Sequence, residues 1–200
     1  MSNKLIKILI SSIVIIHIIS CSLIPNKIEN YYNLSTDDWI VKGKISIQYP
    51  LNNELTKKET QIFNFEWKQK YNDFIIKIKI PFQIENIFIE KKDGNLYLRN
   101  QERVFNDVKR KNVWLRLKSE VPFDELSSWI FGNPSLKSIY KILPEKETVF
   151  RSFSQKGWLV EYPIINNLNA IQLPKKIRLS NDTYNIKIYI QNWEVESTTK

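Results

Sequence analysis

The stretch "WIVKGKISIQY", from Trp39 to Tyr49, decides the fold of this chain of 200 residues. Large apolar side chains such as Val41, Ile45 and Ile47 recur at every second position, and mostly polar side chains lie between them. Successive side chains of a β-strand point to opposite faces of the sheet. The pattern therefore predicts a strand with one buried face and one face in water.

The same period of two recurs along most of the chain. In the first half it appears as "IFNFEWK", which contains Phe63, Phe65 and Trp67, as "FIIKIKI", which contains Ile76 and Ile78, and as "IENIFIEKKDGNLYLRN". The Asp-Gly pair in the last of these is a strong signal for a two-residue hairpin turn. The second half continues with "VFRSF", "GWLVEY", "KKIRLS" and "TYNIKIYIQNWEVE".

Two irregularities are predicted within this set of strands. Residues 50–58 are mostly polar, so we expect a connection between the first two strands there. Near the C-terminus, the isoleucines of "IKIYI" and the Trp193 that follows them have opposite parity. An extra residue in one strand changes the parity in this way, which predicts a β-bulge near Gln191 and Asn192.

The middle of the chain has the apolar period of an α-helix. Val113 and Leu117 are four residues apart in "NDVKRKNVWLRLKSE", and Phe123, Leu126 and Ile130 follow spacings of three and four in "VPFDELSSWIFGNP". Two short helices are predicted. The fold class is therefore mainly β (α+β), a curved antiparallel sheet of about ten strands with helices over its open side. Alternation leaves open whether the concave face is a packed core or a ligand cavity.

The N-terminal residues have the layout of a secretory signal peptide. Lys4 and Lys7 precede an uncharged apolar run of about a dozen residues, and a membrane-spanning helix needs roughly 20. The run ends in "IISC", which resembles a bacterial lipobox, where cleavage precedes a cysteine that becomes lipidated. An intermolecular disulfide through Cys21 is the weaker alternative. We expect a signal peptide at 1–20, a lipidated tether at 21–35 and one folded domain at 36–200.

The chain is basic, with a formal net charge of +9 that falls to +7 without the two lysines of the signal peptide. This charge suits nucleic acid or anionic lipid. However, Lys, Asn and Ile are over-used together, as in products of AT-rich genes, and export argues against nucleic acid. Lys42, Lys44, Lys77 and Lys79 alternate opposite the apolar strand face. They either attract an acidic partner or form a solvated surface.

Residue types that carry catalysis are scarce in the expected mature chain. The only histidine, His17, lies in the expected signal peptide. The mature chain therefore has no Ser–His or Cys–His pair and no histidine-based metal site. The adjacent Asp124 and Glu125 are explained as the start of a helix. We expect a protein that is not an enzyme, with no catalytic residue, no metal and no cofactor.

Taken in order, these stretches are similar to the LolB family, the outer-membrane lipoprotein receptors of Gram-negative bacteria. The likeness covers nearly the whole chain, from the lipobox and "WIVKGKISIQY" through "FNFEWKQ", "IKIPFQIENIFI", "WIFGNP", "WLVEYP" and "LPKKIRLS" to "IKIYIQNWEV". The resemblance implies an incomplete antiparallel barrel of about ten to eleven strands, with short helices lidding an apolar cavity. It also implies a monomer that Cys21 anchors to the periplasmic face of the outer membrane.

The function that the resemblance implies is the delivery of lipoproteins. The protein would bind the acyl chains of lipoproteins brought by the periplasmic carrier LolA and insert them into the outer membrane. Its partners would be LolA, the acylated lipoprotein cargo and outer-membrane lipid. Two alternatives stay open: a lipocalin-like binder of a small free lipid or hydrophobic ligand, and a structural outer-membrane lipoprotein.

Site residues follow partly from the resemblance and partly from alternation. The resemblance assigns membrane insertion to a loop at Pro81 and Phe82, where the family usually has Leu after the proline. The alternative is that Phe82 turns its ring into the core. For an acyl-chain cavity, we select from the strands Phe63, Phe65, Trp67, Ile76 and Ile78, and from the helices Trp114, Leu117, Leu126 and Ile130.

Overall fold

The structure is a computed structural model that describes residues 38–51, 54–81, 86–100, 115, 117–144, 149, 151–168 and 171–195. The expected signal peptide at 1–20 and tether at 21–35 lie outside these ranges, as do Cys21, Phe82 and Trp114.

Ten strands form one antiparallel sheet in the described part of the chain. They are β1 (Asp38–Leu51), β2 (Glu54–Lys70), β3 (Asp73–Lys79), β4 (Asn86–Lys92), β5 (Asn95–Asn100), β6 (Tyr140–Ile142), β7 (Arg151–Gln155), β8 (Trp158–Leu168), β9 (Ile171–Ser180) and β10 (Asn185–Val195). Their order across the sheet is β5-β4-β3-β2-β1-β10-β9-β8-β7-β6. Among these strands β5 and β6 form separate edges, so the barrel is incomplete, as predicted.

The alternation of β1 is confirmed by the burial of its side chains. Trp39, Val41, Ile47 and Tyr49 are buried, whereas Lys44 is exposed. The strand lies at the centre of the sheet, between β2 and β10, where one face covers the core and the other meets water. Trp39 and its buried neighbours belong to one hydrophobic core, which includes residues of most of the strands and of the helix at residues 123–130.

The predicted bulge in β10 is confirmed. Lys42 pairs with Asn192 and the next residue, Gly43, pairs with Ile190, so the register passes over Gln191. The hairpin turn between β4 and β5 is confirmed as well, because Asp93 has φ 51° and Gly94 has φ 78°. Two consecutive positive φ angles are characteristic of the type I′ turn that joins tightly twisted strands.

The expected loop at residues 50–58 is wrong. Pairing between β1 and β2 continues through Pro50 and Lys58 to Leu51 and Glu54. Residues 50–58 are mostly polar in the sequence, so the period-of-two signal is lost there. The strand β6 was also missed, since all three of its residues are exposed and no buried face marks it.

The second predicted helix is confirmed as α1 (Phe123–Ile130). Asp124 and Glu125 lie in its first turn, where acidic side chains interact favourably with the helix dipole. Residues 117–120 are also helical. No helix among the described residues is long and apolar enough to span a membrane.

Candidate functional site

An apolar cavity of about 50 Å³ lies between α1 and the sheet. A single buried water molecule needs roughly 10–15 Å³, so the space is larger than a packing defect. The described side chains that line it are all apolar: Ile45, Ile47, Phe65, Trp67, Ile76, Ile78, Ile89, Leu117, Val121, Phe123, Leu126, Ile130, Leu179, Ile186 and Ile188. A space with such a lining suits apolar ligands.

The helix α1 presents one face to the cavity and another to the second half of the sheet. Phe123, Leu126 and Ile130 line the cavity, and their spacing places them on one side of a helix. Glu125 and Trp129, four residues apart, lie on a different side and are also buried. The helix is therefore covered on two sides, although only one of them is apolar throughout.

Trp129 attaches α1 to strands β7 and β8. Its indole Nε1 donates a 2.7 Å hydrogen bond to Oε1 of Gln155, and its carbonyl oxygen accepts a 2.8 Å hydrogen bond from the hydroxyl of Tyr162. The ring of Phe153 meets the indole edge-on, with 6.2 Å between centroids. These contacts are all buried, so α1 is fixed to the sheet on the side away from the cavity.

An aromatic cluster joins the C-terminal end of α1 to the centre of the sheet as well. The ring of Phe131, at the end of the helix, lies 5.1 Å from Trp39 and 5.0 Å from Trp193 between centroids. Trp39 in turn lies 5.4 Å from Trp67, which lines the cavity. Tilted and edge-on aromatic pairs at these distances stabilise a core beyond the burial of their area.

The stretch "WIFGNP" ends α1 and turns the chain toward β6. Gly132 has φ +90°, and its N–H donates to the carbonyl of Trp129 at 3.0 Å. The N–H of Asn133 donates to the carbonyl of Ser128 at 3.3 Å, which completes a glycine-terminated helix end. The guanidinium of Arg151 then donates to the carbonyl of Gly132 at 2.9 Å.

Most of the side chains selected from the sequence for a cavity come together in the structure. Seven of the nine line it: Phe65, Trp67, Ile76, Ile78, Leu117, Leu126 and Ile130. Phe63 is buried but does not line it, although its partner on β1, Ile45, does. Trp114 lies outside the described residues. Whether these side chains bind acyl chains stays a prediction.

The predicted insertion loop is described only at its start. Pro81 is exposed directly after β3, whereas Phe82 lies outside the described residues. Cys21, the expected lipidation site, lies outside them too. The roles of all three residues stay predictions.

Several cavity residues were not selected from the sequence although a signal for them was present. Ile45 and Ile47 share the buried parity of β1, and Ile186 and Ile188 share that of β10. Pairing of β1 with β10 places Ile45 opposite Ile188 and Ile47 opposite Ile186. Ile89, Val121, Phe123 and Leu179 also line the cavity.

Charged groups lie on the opposite face of the sheet. Nζ of Lys42 lies 2.8 Å from Oε1 of Glu194. This hydrogen bond, followed by the positive charge of Lys42, holds the pKa of Glu194 below its ordinary value of 4.5. The same hydrogen bond raises the pKa of Lys42 above 10.5, although desolvation opposes the change. Among the described residues, no group of three or more His, Cys, Asp or Glu side chains could hold a metal ion.

The sequence comparisons with known proteins agree on one family. The sequence model described as "Outer membrane lipoprotein LolB" matches residues 37–193. The chain is similar to the outer-membrane lipoprotein LolB of Coxiella burnetii strain RSA 493, with 24% identity over 169 residues, which is 83% of this chain and 77% of the relative. It is also similar to the outer-membrane lipoprotein LolB of Marinomonas sp. strain MWYL1, with 24% identity over 161 residues, 79% of this chain and 80% of the relative. A solved DUF1329 family protein from Desulfovibrio piger aligns with a TM-score of 0.42 and 8% identity over 83% of this chain and 88% of that one, a likeness too remote to carry an argument.

Proposed function

Because this chain belongs to the LolB family of outer-membrane lipoproteins, we propose that it takes acylated lipoproteins from the periplasmic carrier LolA and inserts them into the outer membrane. The observation that carries this proposal is the cavity under α1, whose described lining is wholly apolar. Each buried methylene of an acyl chain contributes about 0.8 kcal/mol, so a lipoprotein cannot cross water unshielded at a useful rate. Such a transfer makes and breaks no covalent bond, and we assign it no catalytic residue, metal or cofactor.

The cavity is small in the absence of cargo. At ~24 cal/mol per Å³, leaving a space of about 50 Å³ empty costs roughly 1 kcal/mol. An apolar ligand that fills it recovers this cost. A complete acyl chain also requires the cavity to widen.

The anchor of the protein is proposed to be Cys21. The apolar run before it and the lipobox-like "IISC" support cleavage before this residue and acylation of it. Mass spectrometry of the mature protein tests this step, since an acylated chain beginning at Cys21 is heavier than the bare chain by its lipid. A mature mass equal to that of the unmodified chain would contradict the proposed anchor.

The step into the membrane is proposed to use Phe82. Pro81 is exposed at the end of β3, and the residue after it corresponds to the apolar loop residue of the family. Burial of an aromatic ring in a bilayer contributes roughly 1.5 to 3 kcal/mol, enough to bring the cavity close to the membrane surface for delivery.

A transfer assay tests uptake and delivery separately. A radiolabelled lipoprotein is loaded on LolA, the purified full chain is added, and liposomes are then supplied. The parent protein is expected to take and deliver the cargo, and Phe82→Glu to take it without delivering it. Tyr97→Glu is the matched control, because Tyr97 is an exposed aromatic residue on β5, and it should deliver normally. Equal delivery by Phe82→Glu would remove the loop from the proposal.

The cavity also suits a second function, the binding of a small free lipid. If the parent protein takes no lipoprotein from LolA but binds a fluorescent fatty acid, this lipocalin-like function becomes the better explanation. If it binds neither, the cavity is not a ligand site and a structural role is favoured.

A further inference from the structure

The segment 135–142, between α1 and β7, displays apolar side chains to water. Leu136 is 86% exposed and Ile139 is 95% exposed, and Tyr140 and Ile142 on β6 are exposed as well. Single exposed apolar residues are ordinary on a protein surface, but a cluster within one short segment marks an interaction site. We call this segment the 135–142 surface.

A buried side chain, that of Gln155, holds the backbone in the conformation that exposes these apolar residues. The amide of Gln155 donates to the carbonyl oxygens of Ser135 at 2.7 Å and Ser138 at 2.8 Å, and its Oε1 accepts from the N–H of Ser135 at 2.9 Å. The hydroxyl of Ser138 also donates to Oε1 of Glu125 at 3.1 Å. The backbone is held at both of these serines. The side chain of Leu136, between them, and that of Ile139, directly after Ser138, are therefore directed into solvent.

Positive charges lie among these apolar side chains. Lys137 and Lys141 are exposed within the 135–142 surface, and Lys156 lies beside it in the turn after Gln155, which pairs with Tyr140. The sequence contains no acidic residue between Glu125 and Glu145. The buried carboxylate of Glu125 lies 3.9 Å from Nζ of Lys156 and offsets that charge, so Lys137 and Lys141 are the cations that this surface offers to a partner. The surface therefore combines protruding aliphatic groups with cations.

We propose that the 135–142 surface is a membrane-contact site, in which Leu136 and Ile139 enter the interface of an anionic phospholipid bilayer while Lys137 and Lys141 contact lipid phosphates. Apolar groups bordered by lysines are the chemistry that binds proteins to anionic membranes. A standard protein interface needs about 20–30 residues from each partner, far more than this segment of eight offers. The contact goes beyond cargo transfer, because it orients the folded domain on the bilayer whether or not cargo is bound.

A fluorescent probe of membrane depth tests this inference in the full chain. Ile139→Cys is labelled with an environment-sensitive dye and reconstituted in phosphatidylcholine vesicles with or without phosphatidylglycerol. Ile62→Cys, an exposed isoleucine on β2, is the matched control, and the labelled parent gives the background from Cys21. We expect a blue shift and quenching by spin-labelled acyl chains at position 139, stronger with phosphatidylglycerol and absent at position 62.

Equal quenching at positions 139 and 62 in the phosphatidylglycerol vesicles would overturn the inference. So would shielding of the dye at position 139 only after LolA is added, because the surface would then bind a protein. The double variant Lys137→Glu/Lys141→Glu should lose the dependence on phosphatidylglycerol, whereas Lys44→Glu/Lys187→Glu, at exposed positions of β1 and β10, should keep it.

The two proposals fail in different ways. Loss of acyl-chain uptake with membrane quenching intact at position 139 would contradict cargo transfer alone. Normal transfer with no quenching at position 139 would contradict the membrane contact alone.

Discussion

The indole Nε1 of Trp129 and the side-chain Oε1 of Gln155 are joined by a 2.7 Å hydrogen bond in the protein interior. The same oxygen accepts the N–H of Ser135, and the amide nitrogen of Gln155 binds the carbonyls of the following turn. One buried glutamine therefore fixes both the lid helix α1 and the 135–142 surface. Both the helix over the cavity and the proposed membrane contact are hydrogen-bonded to this one polar side chain.

Gln155→Leu is expected to destabilise the protein by about 2–4 kcal/mol. Leucine has a similar volume but leaves two buried donors, on Trp129 and Ser135, without an acceptor, and each such group costs roughly 1–3 kcal/mol. Urea unfolding followed by circular dichroism measures the change. Gln172→Leu, at an exposed position of β9, is the control and should stay within about 0.5 kcal/mol of the parent. Similar midpoints for the two variants would contradict the importance of this network.

Gly43→Ala is expected to destabilise the sheet by about 3 kcal/mol or more, because overpacking against a rigid neighbour typically costs 1–3 kcal/mol and occasionally exceeds it. A β-carbon at Gly43 would lie 2.0 Å from the carbonyl oxygen of Tyr189 in β10, and a backbone atom cannot move aside cheaply. Gly94→Ala is the comparison, since its φ is +78° but nothing lies within 4 Å of the added carbon. Its cost should be only the roughly 1–2 kcal/mol of the left-handed conformation. Thermal unfolding measures the loss of stability in both variants. An equal loss would contradict the close approach of Gly43 to the backbone of Tyr189.

Leu126→Trp is expected to lower the affinity for a fluorescent fatty acid at least tenfold. The indole would occupy space that Leu126 leaves open in the cavity, and part of the usual overpacking cost of about 1–3 kcal/mol is avoided because that space is empty. Leu115→Trp, at an exposed position, controls for the added tryptophan and should bind as the parent does. Undiminished binding by a folded Leu126→Trp protein would mean that the ligand lies elsewhere.

Lys42→Met is expected to raise the pKa of Glu194 toward 4.5, because the hydrogen bond and charge that lower it are removed. The lowered pKa of Glu194 stabilises the fold at pH values above 4.5, and this contribution to stability is lost as the pH falls through the folded-state pKa. The raised pKa of Lys42 stabilises the fold at pH values below 10.5. This contribution to stability is lost as the pH rises through the folded-state pKa of Lys42. NMR titration of the Glu194 carboxyl measures the first shift. Lys68→Met should change it less, since the charge of Lys68 is the smallest contributor.

Much of the local structure could be predicted from the sequence because it depends on periodicity. The backbone of a strand alternates its side chains, so buried Val41 and exposed Lys44 follow from position alone. The change of parity before Trp193 predicts the bulge, and the spacing of Leu126 and Ile130 predicts one face of a helix. These signals weaken where few residues are apolar, as in the outer part of the β1–β2 hairpin, or where every residue is exposed, as in β6, and both were missed.

The sequence by itself determined the alternation of most strands, the position of the lid helix and the family that the chain resembles. Only the tertiary structure decided which inward faces meet. The pairing of β1 with β10 joins Lys42 to Glu194 across 152 positions and places Ile45 beside Ile188 in the cavity wall. The contact of Trp129 with Gln155 likewise carries no local signal. Alternation is a property of each strand alone, whereas a cavity is the space left between elements that pack together, and its shape depends on all of them at once.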